Sequence, residues 1–371
     1  MKKHYKKLLA TILSAGVIAS TISATFVSSA SATFVSSASA ACDVKVEMVQ
    51  NAYVIHLFKN NMLAVYLPKV GTTKNGRYFN QFESTYYNNV KKAGNYFKSL
   101  GFVYENYSAL LYYPDKTERT PYTPDTVFIS YTYDDGSDKS NKAGHNYVGN
   151  LKGDAISEFG MITIGPVDNN TMNELAYVPD VLAHEYAHLI TQQIAGWDRN
   201  VRSSSIEAGA IVEAYSDILG EFSEETPDWK MGTAAYKNNS NKNKCFRNIK
   251  NPQSTVTPNI YRKYYTNYTE FKNAAASSPY YSNDIAYGGS TVLSHAAYLM
   301  TQAGLDKDLV AKFWLDSLSF IDDTKPLTMS ECRKAVVKAV NKYADETNSS
   351  ARGRSALISR VNSSFNLVNV Y

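Results

Sequence analysis

The sequence predicts an α+β chain of two lobes, β-rich at the N-terminal side and mainly α-helical at the C-terminal side, with the helix that carries the chemistry between them. Three observations support this. From 43 to about 170, short apolar and aromatic runs alternate with turn-forming Gly, Asn, Asp and Pro clusters, the pattern of strands and turns. After about 174, apolar residues recur at three- and four-residue intervals through several windows long enough to be helices. With its 371 residues the chain exceeds what one compact core usually organises, and its apolar content is ample for two.

Taken in order, the chain opens with Lys2, Lys3, Lys6 and Lys7, an apolar run from Leu8 to about Ile22, and Ala38-Ser39-Ala40. That order of basic, apolar and small residues is expected of a secretory signal peptide over 1–40. A membrane anchor would need a longer uninterrupted apolar run than this one, which Ser and Thr break. Cys42 just beyond the cut raises the alternative of a lipid-modified terminus, but Ser39 stands where such sites carry Leu, and free secretion is the expectation. The leader holds four of the 38 basic residues and none of the 34 acids, so the remainder is balanced and gives no reason to expect nucleic acid or membrane as a partner. Cys42, Cys245 and Cys332 allow one disulfide at most and leave a thiol over.

An N-terminal α+β lobe is expected over 41–182, with strands at Val54 to Phe58, Leu110 to Tyr113 and Val127 to Tyr133, and one helix from Glu83 to Leu100 closed by Gly101. The C-terminal lobe, 183–371, is expected to hold helices at 178–194 (entering from the first lobe), 206–223, 290–303, 307–320, 328–345 and 351–365. Between 232 and 283 the Asn-, Tyr-, Lys- and Ser-rich sequence reads as long surface loops.

The chemistry concentrates in Val181-Leu182-Ala183-His184-Glu185-Tyr186-Ala187-His188. Two His four apart leave one helical face one turn apart, so both imidazoles can grip one ion. Glu185 then reaches a metal-bound water without itself being a ligand, the place of a general base. A pair of core His making ordinary hydrogen bonds is the plain alternative. The next helix weighs against it: Glu213 and Asp217 share one face of an otherwise apolar Ile206 to Gly220. Two His and one Glu with a fourth position open to water are the donors of a catalytic Zn²⁺ rather than a structural one, and Asp217 would orient a ligating imidazole.

His-Glu-x-x-His followed by Glu213-Ala214-Tyr215-Ser216-Asp217 resembles the thermolysin family of zinc metallopeptidases. Pro227-Asp228-Trp229, Ala296-Ala297-Tyr298-Leu299 and Ala356 to Val370 extend the resemblance, strongly from about 178 and faintly before it. It implies a thermolysin-like two-lobe fold and a secreted, monomeric zinc endopeptidase acting on proteins and peptides. His184, His188 and Glu213 would be the ligands, Glu185 the base and Asp217 the orienting acid. The resemblance further implies that Arg247 bonds the substrate carbonyl beyond the scissile bond. It also implies that Val181, Met231 and Phe246 line an apolar pocket for the residue after that bond.

The sequence departs from the family pattern in places. Tyr287 stands where the family carries an oxyanion-stabilising His, and remains able to donate. The family's second donor, a Tyr, aligns with Ser204, whose side chain is too short. Asp180 and Asp228 match calcium ligands and Glu221 or Glu224 could add another, but Lys230 replaces a usual Glu, so a single Ca²⁺ and an ammonium substitute are both open. The family's long pro-region has no counterpart, since the catalytic-length chain follows the leader directly. No clean match to its substrate-binding strand is present, although Ser157 to Thr163 is a candidate edge strand. The competing reading from another class is a catalytically weak or inactive secreted binding protein on a protease scaffold.

Overall fold

The computed structural model describes 45–50, 53–57, 62–66, 83–102, 111–112 and 126–131, and the chain from 154 onward except 159–160, 166, 240–243 and 257–261. The expected signal peptide and Cys42 lie outside the described residues. Within them, the N-terminal part is β-rich with one long helix and the C-terminal part is mainly helical, as the periodicity predicts.

Strands β1 (Lys45–Gln50), β2 (Tyr53–Leu57), β3 (Met62–Tyr66), β4 (Leu111–Tyr112), β5 (Thr126–Tyr131), β6 (Ala155–Glu158) and β7 (Met161–Ile164) form two sheets. The first has the order β1-β5-β7-β6, parallel throughout except that β6 runs antiparallel to β7 at the edge. The second has the order β2-β3-β4. Ser157 to Thr163 is therefore the larger part of a hairpin: β6 is the edge, whereas Met161 to Thr163 lie on the inner strand β7, every residue of which is buried. A continuous apolar run such as Met161-Ile162-Thr163-Ile164 suits a strand covered on both faces.

Helix α1 (Glu83–Ser99) buries Tyr86, Val90, Ala93 and Phe97, one stripe at helical spacing, and ends where Gly101 takes φ +94° and Phe102 N–H returns to the Phe97 carbonyl. The Phe97 ring packs on Tyr186 of α2 (Pro179–Ala195), 5.5 Å between centroids. Helix α2 starts with Pro at its first turn and closes at left-handed Gly196, and it crosses the expected lobe boundary at 182/183. Helix α3 (Ile206–Phe222), capped by Ser205, is buried at every position but Glu207 and packs against α2 and α5. An apolar helix surrounded on all sides is the centre of a lobe, not its surface.

Around it lie α4 (Tyr268–Ser277), α5 (Asn283–Gln302), α6 (Lys307–Ser317), α7 (Met329–Glu346) and α8 (Ala351–Leu367). Two expectations are corrected here. Helix α5 begins seven residues before 290, capped by Ser282, and includes Gly288 and Gly289, against which the Lys263 carbonyl and the Phe271 ring pack. A Cβ on Gly288 would sit 1.9 Å from Lys263 O. The segment 232–283 is more than surface loop. It contains α4 and the β9 (Arg247–Asn248) half of a ribbon with β8 (Lys230–Met231), and it buries Cys245, Ile249, Tyr264, Tyr265 and Phe271. Cys245 and Cys332 are both buried free thiols.

Candidate metal centre and catalytic cleft

Helices α2 and α3 bring His184, His188 and Glu213 to one point. The two Nε2 atoms are 3.1 Å apart, and the Glu213 carboxylate lies 3.4 Å from His184 and 3.7 Å from His188. All three are buried. The far ring nitrogens are held from behind: His184 Nδ1 by Asp217 at 2.9 Å, and His188 Nδ1 by the Ser216 hydroxyl at 3.0 Å. Because the Ser216 hydroxyl gives its proton to the Val212 carbonyl, it accepts from His188 Nδ1–H. With Asp217 facing His184 Nδ1, two neutral rings would aim Nε2 lone pairs at each other, so the point between them calls for positive charge. Burial opposes charge on His184, but Asp217 and Glu213 outweigh it and push its pKa up to about 9; burial brings His188 down to about 3. Burial also opposes ionised Glu213, yet Arg202 and the histidines hold it well below the usual range. A proton can meet that demand, and a divalent ion that prefers two imidazoles and a carboxylate fits the donor set better.

Glu185 leaves the same helix into a cleft of about 480 Å³ that these ligands also line. Its Oε2 accepts from the Ser157 hydroxyl of β6 at 2.5 Å, and Gln192 Nε2 donates to the Ser157 carbonyl, tying the edge strand to α2. Burial raises Glu185 to about 7, against the lowering influence of His184 and of the Ser157 hydrogen bond. That value suits a base that must take and return a proton near neutrality.

Val181, Met231 and Phe246 line the same cleft, as do Arg247 and Tyr287. Asp217 is gripped in two-pronged fashion by Arg247, at 2.7 and 2.5 Å, and is touched by Ser290 at 3.3 Å. Burial works against its charge, but Arg247 and His184 keep it ionised below the usual range. Asp217 therefore joins the ring of a candidate metal ligand, His184, to the Arg247 guanidinium. The Tyr287 hydroxyl accepts from Arg202 at 2.8 Å, and Arg262 lies over its ring, 4.7 Å from the centroid. Glu213 and burial raise the phenol, so Tyr287 stays protonated and able to donate.

Ser204 is exposed, and its hydroxyl turns to the Val201 carbonyl. Several cleft residues were not evident from the sequence, Arg202 and Tyr281 among them. Arg202, in the helical turn Arg199–Arg202, forms an ion pair with Glu213, its Nη2 2.8 Å from Oε1; Tyr281 lines the cleft, its hydroxyl beside Gly209 of α3. An Arg in the short link between two ligand helices was the one local signal for the first. For the second the sequence holds none.

Of the expected calcium residues, Glu221, Glu224 and Asp228 converge, while Asp180, near enough to act on the Glu221 charge, turns its oxygens to Gly232 N–H and Val181 N–H. Glu221 is fully buried. One of its oxygens accepts from Trp229 N–H at 3.0 Å and the other, Oε1, has no hydrogen-bond partner.

Residues 204–370 match the family model of the thermolysin metallopeptidase α-helical domain. The chain is 29% identical over 140 residues to a bacillolysin of Brevibacillus brevis and 27% identical over 145 residues to neutral protease B of Bacillus subtilis (strain 168). Each match covers 38% of this chain, and the chain spans only 23% of the length of either relative. In fold it is similar to the precursor of protealysin, a metalloproteinase from Serratia proteamaculans. The TM-score is 0.58 over 90% of this chain and 89% of that one, at 15% identity.

Proposed function

We propose that this chain, whose residues 204–370 match the thermolysin metallopeptidase α-helical domain, is a zinc-dependent endopeptidase that hydrolyses proteins and peptides outside the cell. The convergence of His184, His188 and Glu213 beside Glu185 carries the reading. Those three residues would hold Zn²⁺, which when bound supplies a Lewis acid for the scissile carbonyl and lowers the pKa of water. Glu185, oriented by Ser157, takes the proton of the attacking water and later delivers it to the leaving amine. Asp217 holds the His184 ring in register and Arg247 fixes the substrate carbonyl beyond the cleaved bond. An extended peptide adds to the open edge of β6, and Val181, Met231 and Phe246 favour a bulky apolar side chain after the bond. A single Ca²⁺ at Glu221, Glu224 and Asp228 would be structural. The leader supports secretion, and no helix among the described residues is long and apolar enough to cross a membrane.

The test is cleavage of casein and an internally quenched peptide, with metal content measured alongside. Glu185→Gln is expected to keep one zinc per chain and lose cleavage by at least ~10³-fold, because general-base action at water is removed while the ligands stay. Full activity in that variant would refute the assignment. The reading of an inactive binding scaffold draws on two observations: Tyr in place of the oxyanion His, and Ser204 turned away. Stoichiometric zinc with no cleavage of any peptide would favour it.

A further inference from the structure

Hydrolysis at this site must stabilise the negative charge that builds on the scissile carbonyl oxygen, and the two side chains that would do so by family resemblance are a Tyr in place of His and a Ser that leaves the cleft. Three guanidinium groups surround Tyr287: Arg202, Arg247 and Arg262, at 5.5, 5.6 and 4.7 Å from the ring. Arg247 turns two of its nitrogens to Asp217, is almost fully buried and is already assigned to the carbonyl beyond the cleaved bond; Arg262 is held by Asp284 through two nitrogens. Arg202 differs. Its single terminal nitrogen Nη2 reaches both Glu213 Oε1 and the Tyr287 hydroxyl, each at 2.8 Å, so one guanidinium bridges a metal-ligating carboxylate and the remaining donor. Its side chain is 31% exposed and lines the cleft, where Tyr281 also bonds it, and of its five N–H groups some are left for the substrate.

We propose that Arg202 is a catalytic residue of this site, its guanidinium and the Tyr287 hydroxyl it polarises together donating to the developing oxyanion in place of a histidine. The inference rests on the endopeptidase reading and goes beyond it. A hydroxyl that accepts from a cation becomes a stronger donor, and a fixed guanidinium near Glu213 places positive charge where the substrate oxygen gains negative charge. No bond to Arg202 is made or broken; it acts through N–H donation alone.

Arg202→Met and Arg202→Lys are compared with the wild type for zinc content, steady-state kinetics and affinity for two peptides: a phosphonate, whose tetrahedral anion mimics the charged oxygen, and a ketomethylene isostere, which does not. Arg202→Met is expected to keep its zinc, lose roughly 10²–10³-fold in kcat with KM within about threefold, and lose phosphonate affinity by a similar factor with the isostere unaffected. Arg202→Lys should restore about tenfold of each loss, since a point charge replaces part of the fork. Equal losses for both ligands, unchanged kcat in Arg202→Met, or zinc loss in both variants would overturn the proposal, the last because Arg202 would then serve only to hold Glu213. A wild type that cleaves no peptide, yet binds phosphonate in an Arg202-dependent way, would sink the endopeptidase reading and leave the Arg202 contact standing. A wild type that binds no phosphonate would overturn both.

Discussion

The hydroxyl of Ser157 is the smallest group in the cleft with a definable task. It donates to Glu185 at 2.5 Å from a strand that Gln192 ties to the same helix, so the carboxylate is held in one orientation by a second element. A hydrogen bond to a charged group contributes about 1.5–3 kcal/mol, and Ser157→Ala is therefore expected to lower kcat by roughly ten- to a hundredfold with little change in KM. Ser157→Thr should recover most of the rate. The hydrogen bond also lowers the Glu185 pKa, which burial raises. Removing it raises that pKa further, so the acid limb of the pH–rate profile, where the carboxylate becomes protonated and the rate falls, should move to higher pH in Ser157→Ala. A limb that stays in place would show that Ser157 does not act on Glu185. His184, Glu185 and His188 were legible in the sequence because the helical repeat alone decides that residues four apart share a face. Ser157, Arg202 and Tyr281 were not, because their contacts join distant stretches: Ser157 and Glu185 are 28 residues apart, Arg202 and Tyr287 85.

Among the elements, α5 depends on two glycines, Gly288 and Gly289, where neighbouring segments approach it closely. Tyr265 N–H donates to the Gly288 carbonyl at 3.0 Å, and the Thr291 hydroxyl bonds the Tyr265 carbonyl at 2.8 Å, so the 263–265 segment lies along the helix where side chains are missing. Gly288→Ala puts a methyl group against the Lys263 backbone, which cannot swing aside as a side chain would. The expected cost is about 1–3 kcal/mol, read as a lower midpoint in denaturant at unchanged slope. Because Tyr287 precedes this glycine on α5, cleavage should fall along with stability. Equal stability for Gly288→Ala and wild type would mean the close approach does not constrain α5. The boundaries of α1, α3 and α8 could be read closely from apolar spacing and caps, since those signals are local. Helix α4 and the early turns of α5 could not, because Asn-, Tyr- and Ser-rich sequence is ordered there by packing: Phe271 buries its ring against Gly289.

For the whole molecule, the buried acids near the end of α3 couple stability to protons and cations. Burial pushes Asp180 up to about 6, and burial together with Asp180, Glu224 and Asp228 raises Glu221 well above the usual carboxylate range. A carboxyl whose pKa is higher folded than unfolded holds its proton in the native state. Its contribution is thus present below about pH 4, where both states are protonated, and is lost as pH rises through 6 and beyond. In thermal melts the calcium-free protein is therefore expected to lose from these groups at pH 8 stability that it keeps at pH 5, and Ca²⁺ at Glu221, Glu224 and Asp228 should restore it at pH 8 with little effect at pH 5. A midpoint at pH 8 that ignores calcium and chelator would show that the cluster holds no ion.

What the sequence by itself determined is what depends on short-range periodicity: the order of β-rich and helical lobes, the face shared by His184 and His188, the pairing of Glu213 with Asp217, and most helix limits. Tertiary structure alone decided which distant groups meet. It set Arg247 on Asp217, Ser157 on Glu185, and Arg202 between Glu213 and Tyr287; it turned the Asp180 oxygens to the Gly232 and Val181 amides and made two glycines helical. The physical reason is that a repeat of 3.6 residues is a property of the backbone, whereas charge pairs and close approaches are fixed only when the packing of α2, α3 and α5 sets the distances between them.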